Sequence, residues 1–344
     1  MKKKFIIFSL EQAGGIDALS PVIIKIQENK KIKSLVLLQD KDIYRYAKER
    51  GLKNLNLIRS FSKLEDILEK NSPSTIFTDT NSSSYENSLN KRIIKLAKDW
   101  NIPSACYVDC WANYKIRFGE ELESVPDYVL AIDDEMRDDL GKIGIPKNIV
   151  KVFGSPRFDI FSKFKEETGK DVIVFYSETF EGKKMSEKNV FKDVIEAIEK
   201  YYPEKKIIIK FHPSREKNKN KYDHIIKKSS LTIRKVKNQE DLRKLSKKAE
   251  LVIGMRSIAL FDAALMGKKV ISYQPGLNKQ TDTLRSNTYG WSQPIYNKKN
   301  ISVGIKNILE KEVPVGKKSR EEYTKNKSTE KILSFIKSLS YEKK

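Results

Sequence analysis

Cysteine and histidine are nearly missing from this chain of 344 residues: Cys106, Cys110, His212 and His224 are the only ones. At these spacings they assemble no ordinary four-ligand zinc site, and the two thiols read as partly buried side chains. Long apolar runs are missing too. The longest, such as those from Tyr128 to Ile132 and from Val172 to Tyr176, span about five residues, far short of the roughly 20 that cross a bilayer. Lys2-Lys3-Lys4 resembles the start of a secretion signal, but the apolar stretch behind it is short and reaches Glu11 without a small-residue cleavage pattern. There is no internal repeat and no long Gly/Pro/Ser linker. A cytoplasmic protein with its own packed cores is expected, and its length allows two domains.

Arginine is scarce as well. The net charge is +22, yet only 13 of the 68 cations are Arg, and the lysines are spread along the chain among Asn and Ile. Recognition of phosphates and bases in nucleic acid favours the planar guanidinium and interleaved aromatics, so no nucleic acid partner is expected. The charge reads mainly as solvated helix faces. A basic binding protein without catalysis, acting on nucleic acid or anionic membrane, is the alternative from another class. The tail from Lys337 to Lys344 is where peripheral contact with anionic membrane is expected.

What is present is alternation. Strand-like runs at Phe5–Ser9, Ser34–Leu38, Leu55–Ile58, Thr75–Thr78, Ala105–Val108 and Tyr128–Ile132 are separated by amphipathic patterns, the mark of parallel βαβ units. In one of these helices Ile93, Ile94, Leu96 and Ala97 form the apolar side, with Lys91, Arg92, Lys95 and Lys98 facing elsewhere. The pattern restarts with runs at Val150–Phe153, Val172–Tyr176, Lys206–Ile209, Leu231–Arg234, Leu251–Ile253 and Lys269–Ser272. Asn238, with Asp241 three residues on, reads as the cap of a helix leading to the Leu251 strand. Two doubly wound, Rossmann-like α/β domains facing across a cleft are therefore expected: residues 1–150, residues 151–318, and a terminal helix with a basic tail at 319–344. The turn between them is placed near Lys147 to Ser155.

Open α/β sheets bind ligands beyond the carboxyl ends of their strands, so the loops there carry the candidate sites. After the first strand, Gly14-Gly15 lets backbone come close to a ligand and leads into a helix from about Leu19, but without the G-x-G-x-x-G spacing of a dinucleotide site. Asp79-Thr80-Asn81-Ser82 supplies one acid and several hydroxyls, with helix capping as its leading role. Tyr107-Val108-Asp109-Cys110-Trp111-Ala112-Asn113-Tyr114 places an acid and two aromatics past a strand end, which suits a sugar; Trp111 equally suits a core. Gly154-Ser155-Pro156-Arg157, Ser177-Glu178-Thr179 and Gly254-Met255-Arg256-Ser257 also follow strands. His212 ends the run Lys210-Phe211-His212-Pro213-Ser214-Arg215, where it can donate to a phosphate. His224, in a Lys-rich segment, reads as exposed.

The order of Val152-Phe153-Gly154-Ser155-Pro156-Arg157-Phe158-Asp159, Lys210-Phe211-His212-Pro213, Val252-Ile253-Gly254-Met255-Arg256-Ser257 and Ala263-Ala264-Leu265-Met266-Gly267 resembles that of GT-B nucleotide-sugar glycosyltransferases and their relatives. These relatives include His-Pro-containing bacterial sialyltransferases, glycerophosphotransferases and non-hydrolysing UDP-GlcNAc 2-epimerases. The resemblance implies a metal-independent transfer from a nucleotide-sugar donor to a saccharide or lipid-linked saccharide acceptor in cell-surface polysaccharide assembly, with no cofactor. The alternative within the enzymes is a sugar-nucleotide 2-epimerase. It further implies that His212 and Ser257 contact donor phosphate, with Gly154, Ser155, Arg157, Pro213, Arg215, Met255 and Arg256 around it and Ser177 and Glu178 lining the nucleotide pocket. Gly14, Gly15, Trp111 and Tyr114 would lie on the acceptor side. Three carboxylates, Glu11, Asp17 and Asp109, stand unranked as the base.

Overall fold

The computed structural model describes residues 4–163, 169–178, 181–182, 185–212, 218–236, 242–311, 316 and 318–339. Pro213, Ser214, Arg215, Thr179, the proposed Asn238–Asp241 cap and the end of the basic tail lie outside the described residues. The chain divides into two compact units, Met1–Ile160 together with Tyr323–Lys344, and Phe161–Glu322.

The first unit carries seven parallel strands: β1 (Lys4–Leu10), β2 (Ile32–Leu38), β3 (Leu55–Leu57), β4 (Thr75–Thr78), β5 (Ser104–Tyr107), β6 (Tyr128–Ala131) and β7 (Val150–Val152). Their order is β3-β2-β1-β4-β5-β6-β7. The central strands are almost continuously apolar because helices cover both faces; Ile6, Ile7, Phe8, Ile76 and Phe77 are wholly buried. One assignment changes. Val150–Val152 does not open a second sheet but pairs in parallel with β6, Val129 against Val150 and Ala131 against Val152. The helix Asp134–Lys142, capped by Asp133 through Met136 N at 2.8 Å, is the crossover that joins the two strands.

The expected single terminal helix is two. Lys327 takes a left-handed conformation (φ 54°), which separates Glu321–Thr324 from Ser328–Leu339. The longer piece belongs to the first unit. Asp159 accepts from the amides of Ser328 (2.9 Å) and Thr329 (2.7 Å), Ile332, Ile336 and Leu339 are buried, and the Phe335 ring packs at 5.3 Å on both Tyr128 and Phe153.

The second unit holds β8 (Val172–Tyr176), a two-residue hairpin of β9 (Glu181–Gly182) and β10 (Met185–Ser186), then β11 (Lys206–Lys210), β12 (Thr232–Val236), β13 (Leu251–Gly254), β14 (Lys269–Tyr273) and β15 (Gln293–Ile295). Its six-stranded sheet has the order β12-β11-β8-β13-β14-β15. Counted within each unit, both sheets follow the 3-2-1-4-5-6 order of doubly wound nucleotide-binding folds. The edge strand β15 and the hairpin carry too few apolar residues to be seen in the sequence. The core below the carboxyl edge is aromatic: Phe175, Phe191 and Phe211 ring Tyr222, whose centroid lies 4.3 Å from that of Phe191.

Among the described residues, no helix is long and apolar enough to cross a membrane.

Candidate functional site

Where strand order reverses, the loops of two adjacent strands part and leave a crevice. In the first unit that point lies between β1 and β4, and the two loops contribute Glu11 and Asp79. Each carboxylate caps the helix that begins beyond the other's strand. Asp79 accepts from Glu11 N (3.1 Å) and Gln12 N (3.0 Å) at the start of the helix Ala13–Glu28. Glu11 accepts from Leu89 N (3.1 Å), Asn90 N (2.9 Å) and Ser88 Oγ (2.9 Å) at the start of the helix Leu89–Asp99, and also from Asn81 Nδ2. Asn90 Nδ2 closes the connection after β4 on itself by donating to the Asp79 carbonyl at 3.1 Å and to its carboxylate.

Free helix-start amides favour the charged form of a carboxylate, but burial opposes it and wins here. Asp79 is completely buried, and its pKa is pushed well above the carboxylate range by desolvation and then by the charges of Glu11 and Asp109. Glu11 is raised too, by desolvation against the hydrogen bonds from Asn90, Ser88, Leu89 and Asn81.

Asp109 comes in from the next loop, after β5. It pairs with Arg117 (Nη1 to Oδ1, 2.9 Å), and its side chain is 12% exposed. Every arm of the Arg117 guanidinium is used: Nη1 also reaches Thr80 O (3.1 Å) and Thr80 Oγ1 (2.7 Å), Nε reaches Ala112 O (2.9 Å) and Nη2 reaches Cys110 Sγ (2.8 Å). A small recess of about water size lies beside these groups, lined by Asp79, Asn81, Asn90, Lys91 and Arg117 among others. Lys91, expected on the outer face of its helix, is buried instead and donates Nζ to Ser83 O (2.8 Å) and Ile116 O (2.6 Å).

Gly14 and Gly15 are in the first turn of the helix Ala13–Glu28, not in a loop before a helix from Leu19. Their use is close approach. A Cβ on Gly14 would lie 2.3 Å from Asp109 Oδ2, and one on Gly15 would lie 2.4 Å from Asp79 Cβ and 2.1 Å from its Oδ2. Gly15→Ala is expected to cost about 1–3 kcal/mol through overpacking, read as a lower denaturant midpoint at unchanged m. An unchanged midpoint would show that Asp79 can shift at no cost.

The other first-unit candidates hold structural positions. Asp17 is clamped by Arg50 Nε and Tyr46 Oη, both at 2.8 Å, and joins two helices. Trp111 is buried and donates Nε1 to Asp133 (3.0 Å), which favours its core role; Tyr114 is half-buried at the start of the short helix Tyr114–Phe118. Gly154, Ser155 and Arg157, assigned by resemblance to the donor side of a second domain, lie in the first unit. Gly154 (φ 82°) has no room for a Cβ because Asn326 Nδ2 and Ser328 Oγ would stand 2.3 Å from it, and Ser155 and Arg157 are buried.

In the second unit the order reverses between β8 and β13. Their loops supply Ser177-Glu178 and Met255-Arg256-Ser257, while His212, partly exposed, leaves the neighbouring β11. His212 and Ser257 thus emerge at one carboxyl edge, separated by β8, or two strand spacings of about 5 Å each. Ser257 caps the helix Ile258–Leu265 through Ala259 N (3.2 Å). The amides expected to cradle a phosphate are already bonded: Glu178 Oε1 accepts from Met255 N (3.0 Å), Arg256 N (2.7 Å) and Ser257 N (2.8 Å). Ser177 is buried, its Oγ 3.1 Å from Tyr222 Oη. His224 is exposed. Among the described residues, no group of three or more His, Cys, Asp or Glu side chains is placed to hold a metal ion.

Two Rossmann-like sheets with their crevices at matching reversal points define the GT-B class of fold. Solved structures similar to the chain share it over nearly its whole length. Against UDP-GlcNAc 2-epimerase from Neisseria meningitidis bound to UDP-GlcNAc, the TM-score is 0.71 at 14% identity, over 97% of this chain and 100% of that one. Against the MnaA–UDP structure of S. aureus it is 0.74 at 16% identity, over 99% of each chain. The glycotransferase of kitacinnamycin gives 0.68 at 10% identity, over 98% of this chain and all of that one. No protein-family model matches the sequence, and no curated protein sequence does either.

Proposed function

We propose that the chain is an enzyme acting on a UDP-linked N-acetylhexosamine, and that it inverts a stereocentre of the sugar as a 2-epimerase does. The observation that supports this most is the Asp79–Asp109 pair: a buried carboxyl whose pKa is raised by desolvation and neighbouring charge, next to a carboxylate matched by an arginine. Inversion at C2 balances when the proton leaves one face as the C1–O bond to UDP breaks, giving a 1,2-unsaturated sugar and UDP, and UDP then rejoins C1 as a proton is delivered to the other face of C2. Paired carboxyl groups in unlike surroundings divide those tasks. Asp109, the more exposed of the two, takes the proton; Asp79 is the reservoir behind it. The product is an isomer of the substrate, so neither oxidant nor acceptor is consumed.

The likeness to epimerases over nearly the whole chain supports the same reading. Transfer of the sugar to an acceptor, the first expectation from the sequence, stands second and is favoured by the likeness to the kitacinnamycin glycotransferase. The two readings separate in one experiment. Purified protein is incubated with UDP-GlcNAc alone in D₂O and followed by proton NMR. Epimerisation yields a second sugar nucleotide with deuterium at the inverted carbon. An unchanged spectrum, with UDP released only once a saccharide acceptor is added, would instead establish transfer.

A further inference from the structure

The loop after β13 presents three successive backbone amides to one point, an arrangement that ordinarily holds a ligand's anionic oxygen. Here the oxygen belongs to the protein. Glu178 Oε1 accepts all three, at 2.7–3.0 Å. The residue's backbone is fixed as well: its amide donates to Glu187 Oε1, its carbonyl accepts from Lys221 Nζ at 3.1 Å, and Lys221 pairs with Glu187. Its other carboxylate oxygen, Oε2, has no hydrogen-bond partner among the described residues, and the side chain is partly exposed at the sheet's carboxyl edge, where β8 and β13 part.

A ligand phosphate brought to this loop would find the donors taken and a like charge in their place. A hydroxyl would find an acceptor held rigidly in position. We propose that Glu178 sets ligand specificity at this edge: its Oε1 fills the amide nest in place of a ligand phosphate, and its Oε2 accepts a hydrogen bond from a sugar hydroxyl of the bound nucleotide sugar. This rests on the nucleotide-sugar reading given above. The hydroxyl belongs either to the ribose or to the hexose, and both present the same chemistry. A site built to bond a hydroxyl rejects the analogue that lacks it, because the acceptor is then left unsatisfied.

The test is calorimetric titration of the full chain and its Glu178→Gln and Glu178→Ala forms with UDP-GlcNAc, UDP, 2′-deoxy-UDP and inorganic pyrophosphate. In the unsubstituted protein, a ribose contact makes UDP at least tenfold tighter than 2′-deoxy-UDP, and a hexose contact makes UDP-GlcNAc at least tenfold tighter than UDP. Glu178→Gln reduces that same ratio to about twofold or less, while pyrophosphate affinity changes by less than about threefold. The proposal is overturned if neither ratio exceeds about twofold, if the ratio survives in Glu178→Gln, or if Glu178→Ala binds pyrophosphate at least tenfold tighter, which would make the nest a phosphate site closed by its own side chain. A ratio of about twofold or less in the unsubstituted protein overturns the proposal even if both variants misfold. A protein that binds neither UDP nor UDP-GlcNAc overturns the nucleotide-sugar reading itself; one that binds them without dependence on Glu178 overturns only this inference.

Discussion

Asp79→Asn is expected to lower turnover of UDP-GlcNAc by about 10²–10⁴-fold, the usual contribution of a general acid or base, while making the protein more stable near neutral pH. The stability effect follows from the raised pKa. Between the ordinary carboxyl range near 4 and the elevated folded value, the native state keeps a proton that the unfolded chain has released. Unfolding then becomes easier as pH rises through this window, and the full penalty remains above it. Asparagine carries no charge at any pH, and its carbonyl can still accept from the amides of Glu11 and Gln12. Melting temperatures measured at pH 5 and pH 8 should therefore fall less in the variant than in the original. Some fall should persist, because Glu11 and Glu178 are raised as well. Retained turnover would remove Asp79 from the chemistry; an unchanged pH dependence of melting would show that its proton is not retained on folding.

Arg117→Ala is expected to cost about 3–5 kcal/mol, the range for removing one partner of a buried ion pair, and to lower the first unit's melting temperature by roughly 10 °C. It would leave Asp109 without its cation and Thr80 and Ala112 without their donor. Arg117→Lys should recover little, since a single ammonium cannot span Asp109, Thr80 and Ala112 as the planar fork does. Thermal unfolding of both variants is the measurement. A lysine form as stable as the original would mean that charge alone, and not the fork, holds the loops after β4 and β5 together.

The sheets were readable from the residues because a strand buried on both faces announces itself. Phe5–Ser9, Thr75–Thr78 and Val172–Tyr176 are short, apolar and β-branched or aromatic, and all three lie within strands of the structure. Val150–Val152 was placed in the wrong sheet because three residues carry no information about which neighbour they join. The acid after β5, Asp109, was visible through its position alone. Asp79 was visible but undervalued: only once β4 is known to lie beside β1 does the loop after it face the loop after the first strand. Arg117, inside an exposed-looking Tyr-Lys-Ile-Arg-Phe segment, gave no signal of its own, because its burial needs Thr80 from the loop after β4 to close over a guanidinium that Asp109, Cys110 and Ala112 hold from the preceding segment. Glu178 read as a lining residue, since a sequence shows a helix start but not what already occupies it.

The helix Ser328–Leu339 packs into the first unit, yet it is made only after the ribosome has passed the whole of Phe161–Glu322. Until it arrives, Asp159 lacks the two amides it holds, and Tyr128 and Phe153 lack the ring that covers them. During synthesis the second unit therefore has all of its chain before the first receives the helix that covers these rings.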